Sequence, residues 1–175
     1  MKNKIGIICT ILVLAALAFT GCSKQGPAGP AGPDSVINSN WIEPASWTGT
    51  SGDWYFDVSA PSLTQNIVEN GVVLGYTWLV GDLYNATTER PLPAYAVGAN
   101  WSFLIYKYGD IQFDCDAAIS PSVSNRFRYV AIPPSMLDLS SAKSSVSIKT
   151  FRGMSESQLK SMSYDEVIKI LNIPK

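Results

Sequence analysis

The chain reads as a mainly β protein: a single antiparallel β-sandwich, jelly-roll-like or immunoglobulin-like, closed by short C-terminal helices. Three observations predict this. Apolar, β-branched and aromatic residues gather in runs of six to nine, at 53–58, 72–80, 101–108, 110–117 and 126–132, separated by Gly, Pro, Ser, Thr and Asp. Helical spacing shows only in short pieces, chiefly at the C-terminal end. Residues 41–175 suffice for one domain that buries roughly two-thirds of its unfolded surface, so one core is expected and no second.

The first apolar stretch stands outside that domain. Met1-Lys2-Asn3-Lys4 is cationic, and residues 5–19 are apolar apart from Gly6 and Thr10. A bilayer-spanning helix needs ~20 apolar residues, so this run is too short to cross and suits a secretory leader. The small residues Thr20 and Gly21 then stand directly before Cys22. Phe19-Thr20-Gly21-Cys22 resembles the lipobox of bacterial lipoproteins. That resemblance implies removal of residues 1–21, a diacylglyceryl thioether on the Cys22 thiol and acylation of the new amine, with the lipid bilayer as first partner. Each buried methylene adds ~0.8 kcal/mol, and two or three chains anchor stably where one would not.

Residues 22–40 are expected to form a lipidated cysteine and spacer. Gly recurs every third residue in Gly26-Pro27-Ala28-Gly29-Pro30-Ala31-Gly32-Pro33, which resembles collagen, but so few triplets hold no triple helix. An extended tether at ~3.1 Å per residue follows, and a monomer rather than a trimer. Asp34-Ser35-Val36 resembles the triplet at which Bacteroidetes attach O-glycans to exported proteins.

The sandwich is expected over residues 41–152. Trp54, Phe56 and Val58 alternate with Asp53, Tyr55 and Asp57, as a half-buried strand requires. Leu63, Ile67 and Val68 are helix-spaced and stop at Asn70-Gly71, a glycine stop. The run 72–80 lacks alternation, which places it centrally with both faces covered. Pro91 and Pro93 argue against regular pairing where they sit. Residues 101–108 and 110–117 form a hairpin around Gly109, with Ile111, Phe113, Cys115 and Ala117 on one face and Gln112, Asp114 and Asp116 on the other. Residues 126–132 and 146–151 supply further strands.

In residues 153–175 the period changes. Ser155-x-x-Gln158 and Ser163-x-x-Glu166 have the spacing of capping boxes before helix-spaced apolar residues. Two short helices are expected there, packed on one edge of the sheets.

Composition excludes several kinds of chemistry. The chain has no histidine, which removes Ser-His and Cys-His nucleophiles and His-bearing metal sites. Once Cys9 departs and Cys22 is acylated, Cys115 is the one remaining thiol of 3 cysteines, so no internal disulfide forms. Loss of Lys2 and Lys4 leaves 11 basic against 14 acidic residues without a basic cluster, against a nucleic-acid partner. No phosphate-binding glycine loop follows a strand. Asp110, Asp114 and Asp116 lie on a strand rather than in the tight loop that wraps calcium, so they read as a solvated face, with neither metal nor cofactor. A carboxylate-based glycosidase lacks a recognisable acid partner, and no enzyme is expected.

Tyr55, between Asp53 and Asp57, remains as a sugar platform: an aromatic face for a ring and carboxylates for its hydroxyls. The layout as a whole resembles a group of uncharacterised Bacteroidetes lipoproteins. The features that carry it are the lipobox, the Gly-Pro-Ala spacer, Asn70-Gly71-Val72-Val73, Pro91-Leu92-Pro93 and the Ser-Tyr-Asp-Glu-Val helix. The resemblance implies a bacterial envelope protein of the outer membrane and no assigned activity. The expected function is a membrane-anchored, non-catalytic surface interaction or structural module, with a glycan or another envelope protein as partner. The alternative is a carbohydrate-binding lipoprotein.

Overall fold

The computed structural model describes residues 35–83, 89–141 and 147–173. The leader, Cys22 and the Gly-Pro-Ala tether lie outside the described residues.

Two antiparallel sheets face each other. One has the order β1-β9-β4-β5, from Ile37–Asn38, Arg126–Ile132, Val72–Trp78 and Arg90–Leu92. The other has the order β2-β3-β8-β7-β6, from Thr48–Thr50, Asp53–Ser59, Asp110–Cys115, Ala99–Lys107 and Ala94–Ala96. The fold is therefore a mainly β antiparallel sandwich, as periodicity predicts. Alternation orients each strand of the second sheet. Phe56 opposes Phe113, which opposes Phe103 in turn, and Ile111, Phe113 and Cys115 all point inward. Phe56, Phe113, Phe127 and Trp101 meet in the middle, with the Trp47 ring edge-on to Phe56 at 5.1 Å.

The first sheet is covered on both faces, which the unbroken apolar character of residues 72–80 anticipates. Its other face carries a second apolar cluster, contrary to the expectation of one core. Val72, Leu74, Tyr76, Val130 and Ile132 pack there against Phe151, Leu159, Tyr164, Val167 and Ile168. The partners come from a small sheet of β10 (Asp138–Ser141), β11 (Ser147–Phe151) and β12 (Met154–Ser155), and from two helices, α2 (Glu156–Ser161) and α3 (Tyr164–Leu171). Both capping boxes form as their spacing predicts, each worth about 1 kcal/mol. The helices were expected on a sheet edge; they cover a sheet face instead. Each apolar stripe is narrow, but two stripes and β11 together span the width of β4 and β9.

Two further expectations need correction. Val36 and Ile37, assigned to the spacer, belong to the fold: Ile37 pairs with Ala131, and the two side chains pack into different apolar clusters. Pro91 does sit in a paired strand, opposite Tyr76, because β5 is the edge strand and a missing N–H can face outward there. The cis peptide Leu92–Pro93 carries the chain directly from β5 into β6 of the other sheet. Of the five tryptophans, Trp101 is buried, and Trp41, Trp47 and Trp54 pack partly buried against the apolar clusters, as Trp78 is partly buried on β4.

The short helix α1 (Gln65–Asn70) is capped by Thr64 and ends at Gly71, as expected, but not for the expected reason. Gly71 is extended, with φ −91°. A Cβ there would lie 2.5 Å from the Ile132 carbonyl oxygen and 2.6 Å from that of Ile67, so the glycine permits close approach rather than a left-handed turn.

Candidate functional site

The strand register separates the two ends of the sandwich. The chain enters at Ser35, pairs Ile37 with Ala131, and runs along β9 until Ile42 bridges Phe127. The entry end therefore holds Ile132, α1 and the β7–β8 turn, where Ala60 N–H donates to the Gly109 carbonyl. The opposite end lies about 20 Å away, the length of a seven-residue strand. It is built from the segment after β4, the β6–β7 turn and the loop between β8 and β9. Asn125 ties two of these together by accepting from Val80 N–H at 2.9 Å, and Trp47 Nε1 donates to the Ser122 carbonyl.

That far end is where apolar surface is exposed. Among the described residues nine large apolar side chains are exposed, and six of them are here: Val80, Leu83, Tyr95, Val97, Ile119 and Val123. Leu83 is 94% and Ile119 80% accessible, values that no packing role explains. Single exposed apolar residues are ordinary and contiguous ones mark interaction sites; of these six, Leu83, Tyr95 and Val97 line one cleft.

Within this end, a cleft of about 230 Å³ opens between the segment after β4 and the edge strand β6. Leu83, Tyr95 and Val97 form its rim. Asp82 and Arg90 form its polar side through a bidentate pair, Nε–Oδ2 at 2.5 Å and Nη2–Oδ1 at 3.0 Å. The Asp82 carboxylate holds the guanidinium above its ordinary pKa, chiefly through that hydrogen bond. Val97 has φ +52° and is 52% exposed. It begins a two-residue turn with Gly98, a position that Asn, Asp or Gly fills without strain. A β-branched residue there costs roughly 1–3 kcal/mol, and burial does not offset it.

The sequence-predicted Tyr55 group lies elsewhere, on the outward face of the five-stranded sheet. Asp53 and Asp57 are exposed, whereas Tyr55 is only half-exposed, flanked across its neighbouring strands by Thr48 and Asp114. Asp57 accepts from Gln112 Nε2 at 2.8 Å. Asp114 accepts from Ser102, and Asp116 from the backbone N–H and Nδ2 of Asn100 at 2.7 and 2.6 Å. These carboxylates are thus held by neutral donors from adjacent strands. Asp116 is pulled below its usual pKa by the two Asn100 bonds, side chain first. Tyr106 is pushed up by desolvation and by the charges of Asp57 and Asp110. Asp110 is ion-paired with Lys107 at 2.9 Å. No group of three or more His, Cys, Asp or Glu side chains converges as a metal site among the described residues.

Sequence reasoning brought Asp53, Tyr55 and Asp57 together correctly, because period-two alternation puts them on one face. It missed the far-end residues, which come from three separate segments, 80–83, 95–97 and 119–123, that only the sheet topology brings to one end. The one available signal was local: Leu83, Val97, Ile119 and Val123 are aliphatic residues in stretches of turn composition. Compared with known proteins, the chain matches no family model, no curated protein and no solved structure.

Proposed function

We propose that the protein is a lipid-anchored, non-catalytic interaction module of the bacterial envelope, tethered through Cys22 and working through the end of the sandwich opposite the Ile37–Ala131 pair. The observation that carries this reading is polarity of the fold: the chain enters at one end, and six of nine exposed large apolar side chains lie at the other. Outer-membrane placement and kinship with the Bacteroidetes lipoprotein group rest on Phe19-Thr20-Gly21-Cys22 and the Gly-Pro-Ala tether. The non-catalytic part rests on composition: the chain has no histidine, and with it lacks the commonest general base.

A photo-crosslinking residue placed at Leu83 or Ile119 of the full exported chain should give specific adducts in intact cells. The same residue at Ser62, beside the entry end, should give none. Equal adducts at all three positions, or none at Leu83 and Ile119, would remove the distal-end reading.

A second reading, carbohydrate binding, is favoured by one feature: Tyr55 and Tyr106 share an outward face with carboxylates of which, among the described residues, only Asp110 is ion-paired. On a glycan array probed with the detergent-solubilised full chain, any positive glycan should be weakened by Tyr55→Ala at unchanged melting temperature. Glycan binding indifferent to Tyr55 would place it elsewhere.

A further inference from the structure

The cleft beside β6 has an unused backbone edge. Ala96 and Ala99 close the two-residue turn as a hydrogen-bonded pair, so the next pair, Tyr95 and Asn100, is the non-bonded kind in which both backbones point away from each other. The structure bears this out on one side: Asn100 N–H donates to Asp116 Oδ1, and its carbonyl accepts from Asp116 N–H, both toward β8. Tyr95 N–H and C=O must then face the opposite way, along the outer edge of the sheet and beside the cleft.

The chemistry of the lining selects an occupant. Leu83, Val97, Ala96 and the Tyr95 ring offer apolar surface, and the two charges present, Asp82 and Arg90, are matched to each other. A volume of about 230 Å³ lies below the usual range for whole small ligands, ~300–1,000 Å³, and suits a single side chain. A saccharide would need polar partners for several hydroxyls on this mostly aliphatic rim. An extended peptide needs an edge for its backbone and a hole for alternate side chains, and both are here.

We infer that the cleft between the segment after β4 and strand β6 is an anchor pocket for an extended segment of a protein partner. The segment pairs with Tyr95 through two backbone hydrogen bonds and places one aliphatic side chain between Leu83 and Val97. The strained, half-exposed Val97 is what narrows the mouth around that side chain. This inference rests on the interaction-module reading and names the class of partner that its distal end takes.

The test uses the full chain in detergent micelles, with backbone amide signals followed during titration with the peptide Ac-Thr-Ser-Leu-Ser-Thr-amide. The controls are the same peptide with Gly in place of Leu, and methyl glucoside. The Leu peptide should shift the amides of Leu83, Tyr95, Ala96 and Val97 saturably and slow hydrogen exchange at Tyr95 N–H. The Gly peptide should bind at least about tenfold more weakly. Tyr95→Pro, which removes the outward N–H while sparing the Ala96–Ala99 pair, should abolish binding; Tyr95→Asn, which keeps the N–H, should retain it. Should Tyr95→Pro fail to fold, protection of Tyr95 N–H in the wild type decides the matter.

Equal binding of the Gly peptide, shifts produced by the glucoside alone, or unprotected Tyr95 N–H at saturation would each overturn the inference. Failure of the two readings is separable. Crosslinks at Leu83 and Ile119 with an unresponsive cleft would sink the anchor pocket alone, whereas an unlabelled distal end would sink the module reading whatever the peptides do.

Discussion

Tyr76→Phe should make the protein more stable, and Tyr164→Phe less. The two rings lie edge to face, 5.2 Å apart at 64°, between the central sheet and α3, and both residues are buried. Their hydroxyls differ. Tyr164 Oη accepts a hydrogen bond from the Arg128 guanidinium, which also donates to the Ser39 carbonyl at 2.7 Å. Tyr76 Oη is fully buried and has no hydrogen-bond partner among the described residues. A buried hydroxyl left unmatched costs about 1–3 kcal/mol, and Phe keeps the ring that fills the space. Tyr76→Phe should therefore stabilise by about 1–2 kcal/mol, while stranding a guanidinium N–H in Tyr164→Phe should cost about 1.5–3 kcal/mol. Urea unfolding monitored by tryptophan fluorescence measures both; equal slopes let midpoints be compared as free energies. The same burial raises the Tyr76 pKa, with the neighbouring Tyr164 and Glu166 adding to it. A raised folded pKa means that stability is intact below the unfolded phenol value near ~10 and falls as pH climbs above it. Tyr76→Phe should thus also flatten the alkaline loss of stability. A lower urea midpoint for Tyr76→Phe at unchanged slope would refute the reasoning, because it would mean that the hydroxyl contributes a bond.

Other consequences are quicker to check. Cys115 is 3% exposed and desolvation pushes its thiol pKa up, so native protein should react with a thiol reagent orders of magnitude more slowly than denatured protein; near-equal rates would put the β8 register in error. Cys22→Ser should abolish lipid modification and send any processed protein to the soluble fraction, and its recovery in membranes would point to another attachment. Asp116 and Glu166 are held low by hydrogen bonds from Asn100 and Ser163, so the stability they add is present above the unfolded carboxylate pKa near ~4 and is lost as pH falls through their folded values; carboxyl titrations by NMR should place both midpoints below that of a peptide. Gly75→Ala should cost about 1–3 kcal/mol, because a Cβ there would sit 2.5 Å from the Phe103 ring of the facing sheet. Phe103→Leu in the same chain should restore part of the loss, and strictly additive effects would mean that the two do not touch.

How much was legible follows from the range of each interaction. Alternation in residues 53–58 and 110–115, the capping boxes at Ser155 and Ser163, and the glycine at the β7–β8 turn are all local, and each forms as spelled. What the sequence leaves unreadable is which surface covers which. Leu159, Val167 and Ile168 declare an apolar stripe but not whether a sheet edge or a sheet face receives it. Pro91 declares a missing donor, and only the position of β5 at the sheet edge makes that harmless. Ile37 is too short a β segment to show against polar neighbours, and it becomes a strand because Ala131 offers an open edge of β9. The candidate site divides the same way. The Tyr55 face is a period-two feature and was found; the cleft depends on a turn from one sheet meeting an edge strand from the other, and no spacing encodes that.

The two-sided burial of the central sheet bears directly on where function can reside. One face of β4 and β9 is taken by the aromatic cluster and the other by α2, α3 and β11, so neither broad surface of that sheet is available to a ligand. The five-stranded sheet keeps one open face, where Asp57, Asp114 and Asp116 accept from Gln112, Ser102 and Asn100, and releasing those bonds for a ligand would cost what they contribute, although Asp114 Oδ2 keeps no partner among the described residues. The entry end is committed to α1, whose Glu69 accepts from the Tyr108 hydroxyl and whose backbone carbonyl accepts from Lys149. What remains is the distal end, where Leu83, Val97 and Ile119 are 94%, 52% and 80% exposed and have little packing to lose on binding. A partner there gains apolar burial, ~25 cal/mol per Å², without first breaking anything.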